Sequence, residues 1–179
     1  MRTAALRNLA TVAGLLAGVC LLGVGAQAQQ APAPTALPSP PDYGPPLVNE
    51  QAKAAAEAAI AEAKKNNWHM AVTIVGPEGE LIYFEKMDGT QSSSAALAEA
   101  KARTSALFRR ASKVFADQFS AGNVAFMTFP DKVRPIASEG GLPIMLNGKL
   151  VGAIGVSGGT APQDTVVATA GANAVKAAP

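Results

Sequence analysis

The chain has a single cysteine, Cys20, and a single histidine, His69, in 179 residues. One imidazole excludes a multi-histidine metal site and any chemistry that needs two imidazoles. Cys20 lies inside an N-terminal targeting pattern, so the mature protein is expected to carry no thiol. Thiol catalysis, thiolate ligation and disulfides fall away with it, and the core alone must hold the fold. No G-x-S-x-G elbow is present to support a serine triad. An excess of basic charge is missing too: Arg2 and Arg7 account for the whole net charge of +2, and every acidic residue follows position 28. A near-neutral chain without a basic stripe is not built for nucleic acid or an anionic membrane surface. No catalytic residue, no metal site and no internal repeat is predicted.

The targeting pattern consists of Arg2 and Arg7, an apolar run from Leu9 to Val24, and the small-x-small sequence Ala26-Gln27-Ala28. It predicts a signal peptide over residues 1–28, cleaved after Ala28, and a periplasmic or secreted protein with no membrane insertion after cleavage. The apolar run is shorter than the ~20 residues of a membrane span. Residues 29–46 carry prolines at 32, 34, 38, 40, 41, 45 and 46. Such a segment propagates neither helix nor ladder and reads as an extended linker or wrapping arm. The folded domain is expected over residues 47–179.

Asn49 is placed to cap a helix running to Lys65, with Ala52, Ala55, Ala56, Ala59, Ile60 and Ala63 as its apolar stripe. Met70–Val75 and Leu81–Phe84 read as strands joined by the turn Gly76-Pro77-Glu78-Gly79. Ser92-Ser93-Ser94 is expected to cap a helix from Ala95 to Arg110, and Ser112 a shorter one through Phe119. Val124–Phe129 is apolar and reads as a strand or a packed loop. Asn147-Gly148 between apolar runs is a strong hairpin signal, because both central residues of a type I′ turn need positive φ. Leu150–Val156 should be a central strand, with Gly152, Ala153 and Gly155 leaving room for a helix. Thr160 and Gln163 fit a capping box, with Pro162 tolerated in the first turn of a helix over Gln163–Lys176. Its inward residues are expected to be Val166, Val167, Ala170, Ala174 and Val175. Hairpins separated by helices predict an α+β fold with a largely antiparallel sheet.

Three groups of residues could carry chemistry. Ser157-Gly158-Gly159 before a helix offers backbone N–H groups and a positive dipole end to a carboxylate; the same residues also suit a tight turn. Lys101, Arg103 and Thr104 could aim cations and a hydroxyl at a ligand held by that turn, or could be surface residues with a back-bonded threonine. His69, beside Trp68 at the entry to the first strand, is either a packing residue or an axial ligand. Glu78, Glu80, Glu85 and Asp88 form an acidic edge that could take a hard cation or remain solvated.

The segments Asp88-Gly89, Lys101-Ala102-Arg103-Thr104-Ser105-Ala106, Gly140-Gly141-Leu142-Pro143-Ile144 and Gly152 to Gly159, with Gln163-Asp164, resemble the GlcG/HbpS-type haem-binding (haem-degrading, DUF336) family. They are also similar to the C-terminal domain of PduO-type corrinoid adenosyltransferases. The resemblance covers about residues 47–178. It implies a profilin-like α/β/α sandwich with a five-stranded antiparallel sheet, assembly into homo-oligomers, and haem as cofactor. It also places Thr104 where a threonine oxygen could contact haem. Glu80 and Glu85 stand where some members have histidines, and Arg103 where a tyrosine is common.

The resulting expectation is an exported, oligomeric, non-catalytic binding protein for haem or a small carboxylate. Its ligand would lie near Lys101, Arg103, Thr104, Ser157, Gly158 and Gly159, with His69 as a second haem contact. Two alternatives stand beside it: an accessory or assembly subunit of a periplasmic dehydrogenase, held to that oxidoreductase by the proline-rich arm, and a haem-degrading protein.

Overall fold

A computed structural model describes residues 39–176. The expected signal peptide, Cys20 and residues 29–38 of the arm lie outside the described residues. The elements run α1 (Asn49–Lys65), β1 (Ala71–Val75), β2 (Leu81–Lys86), α2 (Ser94–Phe108), α3 (Lys113–Ser120), a 3-10 helix (Ala125–Thr128), β3 (Gly141–Leu146), β4 (Lys149–Ser157) and α4 (Ala161–Ala174).

The four strands form one antiparallel sheet in the order β2-β1-β4-β3. Both central strands are buried along almost their whole length, because helices cover both faces. Alternation along the strands sends Val72, Ile74, Ile154 and Val156 into a core shared with α1 and α4. Val75 and Ala153 face the other way, against Ala102 and Ala106 of α2. The buried stripe of α1 is Ala52, Ala55, Ala56, Ala59, Ile60 and Ala63, as its helical period predicts. Gly155 explains how α2 lies so close to β4. A Cβ there would run into the backbone of Ala98 and Ala102. The β3–β4 turn carries φ values of 51° at Asn147 and 74° at Gly148, as a type I′ hairpin requires.

The sheet has four strands, not the five the resemblance implies. The nearest thing to a fifth is the last part of the arm, where Tyr43 forms an isolated parallel bridge to Leu150. The Gly44 N–H donates to Leu150 O at 2.7 Å, Leu150 N–H to Asp42 O at 2.8 Å, and Leu47 N–H to Val151 O at 3.0 Å. Prolines 40, 41, 45 and 46 have no N–H to extend this into a ladder. Two side chains fasten the segment. The Tyr43 hydroxyl donates to Ala106 O at 3.2 Å, and the Arg109 guanidinium lies 5.1 Å from the Tyr43 ring centroid while bonding Pro41 O.

Local differences have local causes. Val48 occupies the α1 cap position, its N–H taken by Gln51 Oε1 at 3.1 Å. Ser93 caps α2 without a side-chain bond, and Ser112 Oγ accepts the Gly141 N–H at 2.9 Å, tying the start of α3 to β3 instead of capping it. The stretch read as strand or loop contains the 3-10 helix, whose Phe126 packs on Phe115 at 5.5 Å between centroids. On α4 the buried residues are Asp164, Val167, Ala168 and Gly171, and this 3–4 spacing leaves Val166, expected inward, on the solvent side. Gln163 Oε1 accepts the Thr160 N–H at 2.9 Å, as the capping box predicts.

Candidate functional site: a cleft along α2

The residues singled out in the sequence separate into two groups, because α2 presents them on opposite faces. Lys101 points toward the sheet. Its Nζ lies 2.6 Å from Asp164 Oδ2 and 3.0 Å from Val156 O, and both side chains of the pair are almost fully buried. Asp164 Oδ1 accepts the Gly159 N–H at 3.0 Å. Burial pushes the Asp164 carboxyl above its ordinary value, opposed by the Lys101 ammonium and the Gly159 and Gly158 N–H groups. The glycine turn thus meets an anion supplied by its own helix, and Lys101 neutralises that anion from α2. Ser157 is buried at the end of β4, and Gly158 lies against the backbone of His69 and Met70. His69 itself is exposed, with Nδ1 2.7 Å from Asp88 O. That contact assigns the ring proton to Nδ1 and leaves Nε2 outward.

Arg103 and Thr104 line a cleft on the outer face of α2. Its opposite wall is the connection between the 3-10 helix and β3, residues 131–137. Two adjoining hollows, of about 240 and 720 Å3, share Ala100, Asp131 and Arg134. Thr104 Oγ1 accepts the Ile136 N–H at 3.0 Å, which pins the loop to the helix from beneath and still leaves the hydroxyl a proton to donate. Phe108, which lines the smaller hollow, stacks on Phe129 and edges against Phe115, and Phe119 lines the larger one. Phe119, Met127, Phe129 and Val133 stand exposed around the cleft at 38–49 %.

Cations border this apolar surface. Arg134 pairs with Asp131 at 2.6 Å. Arg103 has no carboxylate partner among the described residues, and its nearest acceptor is Lys132 O at a long 3.5 Å. Lys132 also lines the cleft. The hollow that holds Met127 and Phe119 is mainly apolar, whereas the adjoining one is polar and carries Glu99 beside Arg103 and Lys132; apolar contact next to an unpaired guanidinium suits an amphipathic anion. Sequence reading found Arg103 and Thr104 but missed Phe119, Met127, Lys132 and Arg134. A signal existed: five of the six phenylalanines fall between positions 108 and 129, a density no single short helix can bury.

Comparison with known proteins places this architecture. Residues 47–173 match the family described as haem degrading protein, HbpS-like. The chain belongs to the HbpS-like family. It is 37 % identical over 111 residues to Protein GlcG of Escherichia coli strain K12, covering 62 % of this chain and 81 % of that one. The crystal structure of HbpS is 27 % identical with a TM-score of 0.67, over 74 % of this chain and 92 % of that chain. The crystal structure of a PduOC–haem complex has a TM-score of 0.67, over 73 % of this chain and 96 % of that chain. At 23 % identity, the latter likeness shows the fold alone.

In this HbpS-like chain, Glu80 and Glu85 have separate local tasks. Glu80 folds over the β1–β2 turn and accepts the Glu78 N–H at 3.1 Å. Glu85 accepts the Tyr83 hydroxyl proton at 3.3 Å on the α1 side of β2. Neither lines the α2 cleft, and among the described residues no three His, Cys, Asp or Glu side chains gather as metal ligands.

Proposed function

We propose that the protein binds haem in the α2 cleft as an exported, oligomeric and non-catalytic haem carrier. The observation that carries this is the junction of an apolar hollow, lined by Phe119, Met127 and Ile136, with a polar one that holds Arg103, a cation that lacks a carboxylate partner among the described residues. Haem combines a large apolar macrocycle with two carboxylates. Phe108, Phe119 and Val133 offer surface to the first, and Arg103 with Lys132 offers charge to the second. The combined hollows fall in the range of roughly 300–1,000 Å3 typical of small-molecule sites. Haem bound there supplies an iron centre, and the protein's part is to hold and orient it and to exclude water. Membership of the HbpS-like family and the haem named in the PduOC complex support the choice of ligand. The profilin-like description of the sandwich belongs to the same reading.

Hemin titration followed by the Soret band tests it. Saturable binding that weakens at least tenfold in Arg103→Glu supports the proposal, whereas affinity unchanged by Arg103→Glu removes the cleft. Glycolate in excess should fail to compete; competition would favour a small carboxylate as the ligand.

Export rests on residues 1–28, and N-terminal sequencing of the extracytoplasmic protein checks cleavage after Ala28. Homo-oligomer formation draws support from β2, an edge strand with Leu81 57 % and Phe84 41 % exposed, and light scattering measures it. The accessory-subunit alternative needs a free arm. Residues 41–44 of that arm bond to β4, α2 and Arg109 of their own chain, which ranks it second.

A further inference from the structure

Resting on the haem-cleft reading, we infer that the Met127 thioether is the iron ligand this chain offers in that cleft. Met127 sits on the 3-10 helix between α3 and β3 and lines the larger hollow together with Phe119, Arg134 and Ile136. Its side chain is 45 % exposed, and no hydrogen bond engages its sulfur among the described residues. Thioether sulfur is an established axial donor to haem iron, and its three rotatable bonds let it reach across a cleft.

The other sulfur, imidazole and phenol donors of the described residues lie outside this cleft. His69 lines none of the hollows along α2, and its Nδ1 is tied to Asp88 O. Both tyrosines bond outside the cleft, Tyr43 to the C-terminal carbonyls of α2 and Tyr83 to Glu85. Met87 Sδ accepts the Met70 N–H at 3.4 Å in the core region. Within the cleft, Asp131 is paired with Arg134 at 2.6 Å, Thr104 is 3 % exposed and its Oγ1 accepts the Ile136 N–H, and Glu99, a hard oxygen donor, lines the smaller hollow beside Arg103. Met127 is the lining side chain with a soft donor atom and no competing bond. The cleft then has a division of labour: Arg103 and Phe108 in the smaller, polar hollow, and Phe119 and the Met127 sulfur in the larger, apolar one.

Absorption and electron paramagnetic resonance spectra of the hemin-loaded full chain test this, with iron-free protoporphyrin IX as the control ligand. Wild type should give a thioether-ligated ferric spectrum with its long-wavelength charge-transfer band. Met127→Leu, on an exposed side chain that does not threaten folding, should lose that band and weaken hemin binding more than it weakens protoporphyrin IX binding. Met127→His should restore axial ligation with an imidazole-type spectrum. Arg103→Glu should weaken both porphyrins while leaving the band intact at saturation. A Met127→Leu spectrum superimposable on wild type overturns the ligand assignment, and the cleft survives if Arg103→Glu still weakens binding. If neither substitution changes affinity or spectrum, both the ligand and the cleft fall.

Discussion

Replacing Lys101 by Met is the perturbation with the largest consequence for the fold. Methionine keeps most of the lysine's length and apolar stem, so packing against the sheet is conserved. What goes is the ammonium that lies 2.6 Å from Asp164 Oδ2 in a nearly dry site. Removing one partner of a buried pair strands the other charge, at a cost of about 3–5 kcal/mol. At roughly 2–4 °C per kcal/mol for a domain of this size, the midpoint of thermal unfolding should fall by about 10 °C. The pH dependence has a definite sign. Burial already holds the Asp164 carboxyl above its ordinary value. Between the unfolded and folded values the native state therefore binds more protons than the unfolded one, and this group's contribution to stability falls as pH rises through that window. In Lys101→Met the cation no longer opposes burial, so the carboxyl is held higher still. The deficit against wild type should be greatest at neutral pH and shrink in mild acid, where Asp164 is protonated. Denaturant unfolding across a pH series reads it, and Lys101→Met with Asp164→Leu should recover most of the loss. A single variant within 1 kcal/mol of wild type at neutral pH, or one whose deficit grows on acidification, refutes the reasoning.

Thr104→Val removes the acceptor of the Ile136 N–H and should cost about 1–3 kcal/mol, with faster amide exchange across residues 131–137 as its specific sign. Gly155→Val drives side-chain atoms into the α2 backbone and should cost at least 1–3 kcal/mol, the usual penalty of over-packing, seen as a lower denaturation midpoint. Arg109→Ala removes the guanidinium from Tyr43, roughly 0.5–1 kcal/mol at an exposed site, and should expose the arm at residues 39–46 to limited proteolysis before the domain unfolds.

Much of the scaffold was legible because local signals and tertiary demands agree there. The α1 stripe, the Asn147-Gly148 hairpin and the Thr160–Gln163 cap each encode their structure within a few residues. The candidate site was harder to read for a physical reason. Lys101 and Arg103 are two positions apart on one helix and so face opposite ways, yet nothing local says which one meets the sheet. Only the placement of Asp164 at the start of α4 decides it, 63 residues away. The same pairing explains why the glycine turn, an attractive anion site in isolation, receives a carboxylate of its own chain. The second cleft wall has no regular period at all. Residues 119–137 are held by Phe115, Phe126 and the Thr104–Ile136 bond, contacts that exist only after the chain has folded. The fifth strand was expected from family resemblance, whereas the prolines flanking Tyr43 and Gly44 limit that segment to a bridge.

The central claim is that haem lies along the outer face of α2. Paramagnetic broadening by hemin in a backbone-assigned amide NMR spectrum tests it most directly, with a diamagnetic porphyrin as reference. The account predicts that signals of Ala100, Arg103, Met127, Val133 and Ile136 broaden first, while those of Ala71–Val75 and Gly158–Thr160 persist. Broadening centred on His69 and Gly158, or on Leu81 and Phe84 at the edge of β2, would contradict it.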